Sequence, residues 1–126
     1  MGIFKNSIVG IEFDSSNIRF IELNRSSKAP RIQNAGLIAM PEDTVKDGRI
    51  INQNNFKNTI IELWKRYKIK SRKIILGISN SDIIMRFINI PKVPIEKLPN
   101  VIKYQASDYL PINIDDFELD YELIGY

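Results

Sequence analysis

The sequence predicts an α/β domain, and three observations carry that prediction. Three β-branched, apolar runs separated by short polar turns lie between Ser7 and Met40, which is typical of an antiparallel meander. An amphipathic helical pattern follows Asn52, and a further apolar run begins at Lys73. A strand, a helix and a strand in succession imply a right-handed crossover and a parallel strand pair.

The first two strands flank a short polar turn. Ser7–Phe13 is β-branched and apolar, which suits a strand buried on both faces. Asn17–Asn24 alternates, so Ile18, Phe20 and Glu22 are expected on one face of the sheet. The short turn between the two runs predicts a hairpin.

The meander is completed by a third strand. Residues 25–30 predict a loop, and residues 32–40 predict the strand that follows it. A turn at Asp47 and Gly48 then precedes a short extended segment at 49–52.

The next element is a helix that packs through one apolar face. Asn52 is the predicted N-cap, because its side chain can accept from the first free backbone N–H groups. Apolar residues recur at i, i+4, i+7, i+8 and i+11, and aromatic residues at helical spacing are more often core than part of a cofactor site. The face comprises Phe56, Ile60, Leu63, Trp64 and Tyr67. Lys73–Ser79 is expected to be a buried strand after this helix.

After a turn at 80–82 the pattern predicts a strand, a helix and a strand. Residues 83–90 form the first strand, which ends at a pair of prolines. The helix covers 98–109 with a proline in its first turn, and it ends before Pro111. The closing strand is predicted at 117–126, with acidic residues on one face.

Composition restricts the chemistry that the chain can perform. The 126 residues are 44% apolar and 26% charged, and they include no His and no Cys. This excludes Ser-His and Cys-His nucleophilic sites and zinc sites built from thiolates or imidazoles. No run of eighteen apolar residues and no secretory or myristoylation pattern is found. These features predict a cytoplasmic protein without a membrane span.

The charge distribution is uneven along the chain. Residues 101–126 contain six acidic residues and one basic residue, and the densest basic run is "KRYKIKSRK" at 65–73. This run is typical either of a nucleic-acid or anionic-lipid patch or of a solvated helix end. The second interpretation is favoured, because no aromatic or Gly-rich nucleic-acid motif accompanies the run, and no nucleic-acid partner is expected.

Four segments of the chain, in order, carry a resemblance to a known family. They are "MGIFKNSIVGIEFDSSNIRFIEL", "DGRIINQNNF", "KIILGISNSDIIMRFINIPKVP" and "LPNVIKYQASDYLPINIDDFELDYELIG". Together they resemble the N-terminal part of the PilM family, the actin-like proteins of type IV pilus assembly that are related to FtsA. The fourth segment is the most specific, because Ala106, Tyr109, Pro111 and the Asp115-Asp116 pair fall at the family's offsets.

The resemblance implies an actin-like (ribonuclease-H-like) core with a mixed sheet. Residues 1–79 would form the first half of this core, and residues 80–126 would begin a small inserted strand-helix-strand subdomain. Family members continue further, so the chain is expected to be an N-terminal portion without the second phosphate loop. No catalytic residue and no metal ligand are assigned, and no enzymatic activity is expected from this portion.

The resemblance also implies a phosphate site at the first hairpin. Glu12 and Arg19 stand where the family has Asp and Lys, whereas Asp14 replaces a glycine. A carboxylate about 5 Å from a phosphate costs on the order of 3 kcal/mol in repulsion, unless it joins the shell of a metal ion instead. ATP and magnesium are therefore implied only for a full-length protein. The candidate nucleotide residues are Glu12, Asp14, Ser15, Ser16, Asn17 and Arg19.

The favoured function by resemblance is a cytoplasmic scaffold at the inner face of the cytoplasmic membrane. It would bind the N-terminal cytoplasmic tail of a PilN-like protein of the inner-membrane pilus assembly complex, in a cleft between core and insertion. The alternatives are an actin-fold ATPase or sugar kinase, an FtsA-like division protein or a GspL-like secretion component. The candidate cleft residues, whose apolar members could instead close the subdomain's own core, are Ile84, Arg86, Ile88, Val101, Tyr104, Gln105 and Asp108.

Overall fold

The computed structural model describes residues 6–25, 29–110 and 112–125, which pack as two compact units. The first unit ends at Ile83 and the second begins at Ile84. The main elements, in chain order, are β1 (Ser7–Phe13), β2 (Asn17–Asn24), β3 (Arg31–Ala39), β4 (Val45–Lys46), β5 (Arg49–Ile50), α1 (Gln53–Arg66), β6 (Ile74–Gly77) and α2 (Leu98–Tyr109).

The sheet of the first unit has the strand order β3-β2-β1-β6. β1 pairs with β2 and β2 pairs with β3 in antiparallel fashion, so the predicted meander is confirmed. β6 returns beside β1 in parallel, with Val9 opposite Ile74. This is the predicted crossover, because α1 lies between the two parallel strands in the chain. Of the loop predicted at 25–30, residues 26–28 lie outside the described residues.

The core of the first unit lies between the meander and α1. Val9, Ile11, Ile18 and Phe20 are buried on the face of the sheet that meets Leu63. The predicted helix face is confirmed, since its other four residues also pack against this cluster: Phe56, Ile60, Trp64 and Tyr67. Asn52 caps the helix, and its side chain accepts from the backbone N–H of Asn55 at 3.0 Å.

Two predictions about the burial of strands were wrong. β1 alternates between buried and more exposed residues instead of being buried on both faces. β6, expected as a buried strand, is exposed along its whole length, with Ile75 at 61%. In the described part of the chain β6 is an edge strand that pairs only with β1, so its apolar composition did not indicate burial.

The small hairpin of β4 and β5 packs against the segment that follows β6. Its turn has positive φ at Asp47 (51°) and at Gly48 (73°), which is the geometry of a type I′ turn. A Cβ at Gly48 would lie 2.1 Å from the carbonyl oxygen of Ser79, so glycine is required by both conformation and space. Arg49 also pairs with Asp82.

The second unit is built around α2. The helix buries Leu98, Ile102 and Ala106 at four-residue spacing, and its predicted range of 98–109 is confirmed. The proline predicted to follow its end lies outside the described residues. Short 3₁₀ helices occur at Ile95–Lys97 and Ile114–Asp116.

The strands predicted on either side of α2 were wrong. Neither 83–90 nor the described part of 117–126 forms a hydrogen-bonded strand. Of the predicted strand, helix and strand, the described residues therefore form only the helix. A strand is defined by pairing with a neighbour, and an alternating apolar pattern supplies only the side chains for it. Within the described ranges, none of the helices combines the length and apolar character needed to cross a membrane.

Candidate functional site

The structure brings the acidic and basic residues of the first hairpin together. Glu12 lies near the end of β1, and Arg19 lies directly opposite it on β2. Asp14 occupies the turn between the strands, where its backbone N–H donates to the carbonyl of Asn17 at 3.0 Å. Because β1 and β2 pair up to the turn, the charged side chains lie close together at one end of the sheet.

Three N–H donors converge on the Asp14 carboxylate. Oδ1 accepts from the backbone N–H of Ser16 at 2.7 Å and from that of Asn17 at 2.9 Å. Oδ2 accepts from Nη2 of Arg19 at 2.6 Å. Glu12 is a more distant partner of the same guanidinium, with its Oε1 3.6 Å from Nη2. The turn is therefore closed by its own side chain.

These bonds stabilise the charged form of Asp14. The Arg19 hydrogen bond is the largest cause, and the backbone N–H groups of Ser16 and Asn17 add to it, so that the pKa of Asp14 falls from 3.8 to about 2. The same contact raises the pKa of Arg19. The carboxylate is consequently a permanent anion at neutral pH.

The hairpin in this arrangement does not fit a phosphate group. A phosphate held here would use backbone N–H groups of the turn and the guanidinium, and these are the groups bound to Asp14. Ser15 is exposed at the tip of the turn. The residue after β3 also holds the turn, because the N–H of Met40 donates to the carbonyl of Ser16 at 2.8 Å.

A buried polar cluster joins three parts of the first unit. The Oε1 of Glu22 accepts from the N–H of Ser71 at 3.1 Å, and the Ser71 hydroxyl donates to the carbonyl of Ser7 at 2.8 Å. Ser71 is only 2% exposed. Trp64 donates from Nε1 to the carbonyl of Ser71 at 3.4 Å. The cluster holds the chain between α1 and β6 against β1 and β2.

The candidate partner residues of the segment at 84–90 differ in exposure. Ile84 and Arg86 are exposed, whereas Ile88 is half-buried. Arg86 donates from Nη1 to the carbonyl of Met85 at 2.9 Å, a contact within its own segment. Next to it Phe87 is 80% exposed, which is unusual for so large an apolar side chain.

The candidate residues on α2 divide into an inner and an outer pair. Val101 and Gln105 are half-buried, and the Oε1 of Gln105 is buried without a hydrogen-bond partner among the described residues. Tyr104, at 83% exposure, and Asp108 face outwards along one side of the helix. No hydrogen bond or ion pair of the described residues joins these four to the segment at 84–90.

The outer pair belongs to a shallow depression that sequence reasoning only partly identified. Asn100, Lys103 and Ser107 line it together with Tyr104 and Asp108. The five positions recur at the spacing of neighbouring helix turns, which is the signal that could have found the three that were missed.

Comparisons with known proteins agree with this architecture. A family model described as "Type IV pilus assembly protein PilM" matches residues 10–126. The chain is also similar to a solved chain of a PilM-PilN type IV pilus biogenesis complex, with a TM-score of 0.74 and 22% identity. The match covers 86% of this chain and 32% of that one, so the chain spans about a third of its length. The predicted fold class, an α/β core of the actin-like type with a mixed sheet, is confirmed.

The family match extends from the middle of β1 through both units and includes all but the first nine residues. It contains the whole of the helical and sheet elements after β1, together with the hairpin and the outer face of α2. The chain therefore belongs to the family of the type IV pilus assembly protein PilM.

Proposed function

We propose that the protein is a cytoplasmic scaffold of type IV pilus assembly, peripheral to the inner face of the cytoplasmic membrane. It would bind the N-terminal cytoplasmic tail of a PilN-like inner-membrane protein through its second unit. Family membership over residues 10–126 supports the role in pilus assembly. The similar solved chain comes from a PilM-PilN complex, which supports the class of partner.

The segment at 84–90, which forms no helix or strand, is the observation that carries this proposal. It has no strand neighbour among the described residues, yet it is apolar and largely exposed, with Met85 at 73%. An extended peptide recognises such a segment by pairing with its backbone and by placing alternate side chains on its apolar face. The segment at 84–90 offers both a backbone that no described strand pairs with and exposed apolar side chains.

Charge and aromatic groups add specificity to this surface. Arg86 is an exposed cation in the middle of the segment at 84–90, and its planar guanidinium suits carboxylate or carbonyl groups of a peptide. Tyr104 offers a rigid exposed ring on α2, with Lys103 and Asp108 beside it in the same depression. Aromatic and arginine side chains commonly dominate the binding energy of an interface.

The test is a calorimetric titration of the full-length protein with a synthetic peptide of the PilN-like tail. Arg86→Ala and Tyr104→Ala are each expected to weaken binding about tenfold or more, as anchors of an interface do. Arg72→Ala is the matched control, because it removes an exposed arginine from the first unit and should leave the affinity unchanged.

Two results would count against the proposal. Unchanged affinity in both variants would remove this surface from the peptide site. Absence of any saturable heat with the wild-type protein would remove the peptide itself as the partner. Circular dichroism of each variant checks that its total helix content equals that of the wild type.

A further inference from the structure

The first hairpin contains an arrangement of donors that is characteristic of anion binding. Two consecutive backbone N–H groups, of Ser16 and Asn17, point to one oxygen, and the guanidinium of Arg19 points to the second oxygen of the same group. These three donors make charge-assisted bonds of 2.6 to 2.9 Å to both oxygens of a small oxyanion. Here the oxyanion is the carboxylate of Asp14.

We propose that Asp14 is a built-in anion that occupies the donors of a phosphate site and thereby closes the hairpin to phosphate. Replacing its carboxylate should open the turn to the phosphate groups of a nucleotide or of pyrophosphate. The inference is independent of the peptide partner proposed above, since all of its residues lie in the first unit.

Occupation and repulsion act together in this arrangement. An incoming phosphate would have to take the N–H groups from a carboxylate that three hydrogen bonds hold in place, and it would meet the negative charge of that carboxylate. The low pKa of Asp14 means that protonation does not relieve the repulsion near neutral pH.

A bridging metal ion does not resolve the conflict. Oδ1 of Asp14 faces two N–H groups and Oδ2 faces a guanidinium, so positively polarised hydrogens lie beside both oxygens and repel a cation. Glu12, the other acidic residue of the hairpin, also pairs with Arg19, with its Oε1 3.6 Å from Nη2. The cationic partner of both carboxylates is thus a protein side chain.

The experiment follows the backbone N–H signals of Ser16 and Asn17 in the full-length protein, labelled with ¹⁵N at Ser and Asn. Wild type and Asp14→Gly are titrated with pyrophosphate and, separately, with Mg-ATP. Asp14→Gly is expected to show saturable shifts of both signals with pyrophosphate, at an affinity at least about tenfold above that of wild type. ATP binding to the wild type that leaves both signals unmoved would agree with a closed hairpin.

Two control variants separate the site from general effects of charge. Asp47→Gly removes one negative charge from another hairpin turn of the same unit, and it should bind pyrophosphate no better than wild type. Asp14→Gly combined with Arg19→Gln loses the guanidinium of the site and should lose the gained affinity.

Two outcomes overturn the proposal. One is equal affinity of wild type and Asp14→Gly with shifts at Ser16 and Asn17, because the hairpin would then be open already. The other is a folded Asp14→Gly protein that shows no shift. If that variant loses its dispersed spectrum, Asp14→Ala is judged by the same two criteria, because alanine also frees the N–H groups and lacks the backbone flexibility of glycine.

Discussion

Asp14 uses one carboxylate to close a turn and to hold an arginine. Its side chain accepts from the N–H two residues further on, which is a common property of aspartate in turns. The addition of Arg19 from β2 turns this local cap into a link between the turn and the second strand of the hairpin. A single carboxylate thus fixes both the backbone of the turn and the position of the arginine.

The acid behaviour of the protein should report this carboxylate. Because the folded pKa of about 2 lies below the ordinary 3.8, the contribution of Asp14 to folding is present above about pH 4 and is lost as the pH falls towards 2. We expect the ¹³C signal of the Asp14 carboxyl to titrate near 2. Arg19→Gln should raise that midpoint, since Arg19 is the largest cause of the shift, and an unshifted wild-type midpoint near 3.8 would contradict the described contacts.

At the scale of elements, Tyr67, the C-cap of α1, connects the helix to β3. The hydroxyl of Tyr67 donates to the carbonyl of Leu37 at 2.8 Å, and its ring meets Phe20 edge-on at 4.8 Å between centroids. Asn34 donates from Nδ2 to the carbonyl of Tyr67 at 2.7 Å. The ring lies where a side chain of Gly36 would be, so this glycine provides room for the helix end.

Filling that room should cost stability. A Cβ at Gly36 would lie 2.4 Å from two ring atoms of Tyr67, so we expect Gly36→Ala to lower the free energy of unfolding by about 1–3 kcal/mol. Gly10→Ala is the matched control, because its Cβ would make an ordinary contact at 3.4 Å. Urea denaturation measures both.

The cause can be separated from a general effect of glycine in a strand. In a Tyr67→Ala background the clash is absent, and the cost of Gly36→Ala should fall by most of its value. An equal cost in both backgrounds would show that the ring is not the reason.

The elements that the sequence predicted well are those whose signals are local. The bounds of β1 and β2 match, Asn52 caps α1, and α2 covers 98–109, because alternation, capping and helical period are encoded within a few residues. The strands expected around α2 are missing, because pairing depends on a neighbour that the pattern does not specify.

The site was predictable to a similar degree. The residues of the first hairpin could be named from their types, and the structure does place Glu12, Asp14 and Arg19 together. The capture of the turn's N–H groups by Asp14 was missed, although aspartate in turns is known for such bonds. Ser71 was missed because it lies within a basic run that was interpreted as a solvated helix end.

At the scale of the whole molecule, the two units are stabilised differently. The first has a shared core between sheet and helix, supported by the buried cluster of Glu22, Ser71 and Ser7. The second buries few large side chains among its described residues and leaves Phe87 and Tyr104 exposed. Stability of the first unit is therefore expected to depend on a few long-range contacts, of which Ser71 makes two.

Removal of the Ser71 hydroxyl tests that dependence. Ser71→Ala takes away the donor to the Ser7 carbonyl in a buried site, and we expect a loss of about 1–3 kcal/mol in the free energy of unfolding. Ser15→Ala removes an exposed hydroxyl from the hairpin tip and should change stability by no more than about 0.5 kcal/mol. Equal effects of the two substitutions, measured by thermal or urea unfolding, would contradict a structural role for Ser71.

The position of Ser71 has a consequence for the order in which the protein can assemble during synthesis. Its hydroxyl binds a carbonyl 64 residues earlier in the chain, whereas the three strands of the meander are contiguous and can pair as soon as they leave the ribosome. Until residue 71 emerges, the carboxylate of Glu22 has no Ser71 amide to accept from. The edge of β1 that will pair with β6 also has no strand beside it. The nascent meander therefore carries an open edge for the time that translation takes to reach β6, and that interval is when it is most exposed to mispairing with other chains.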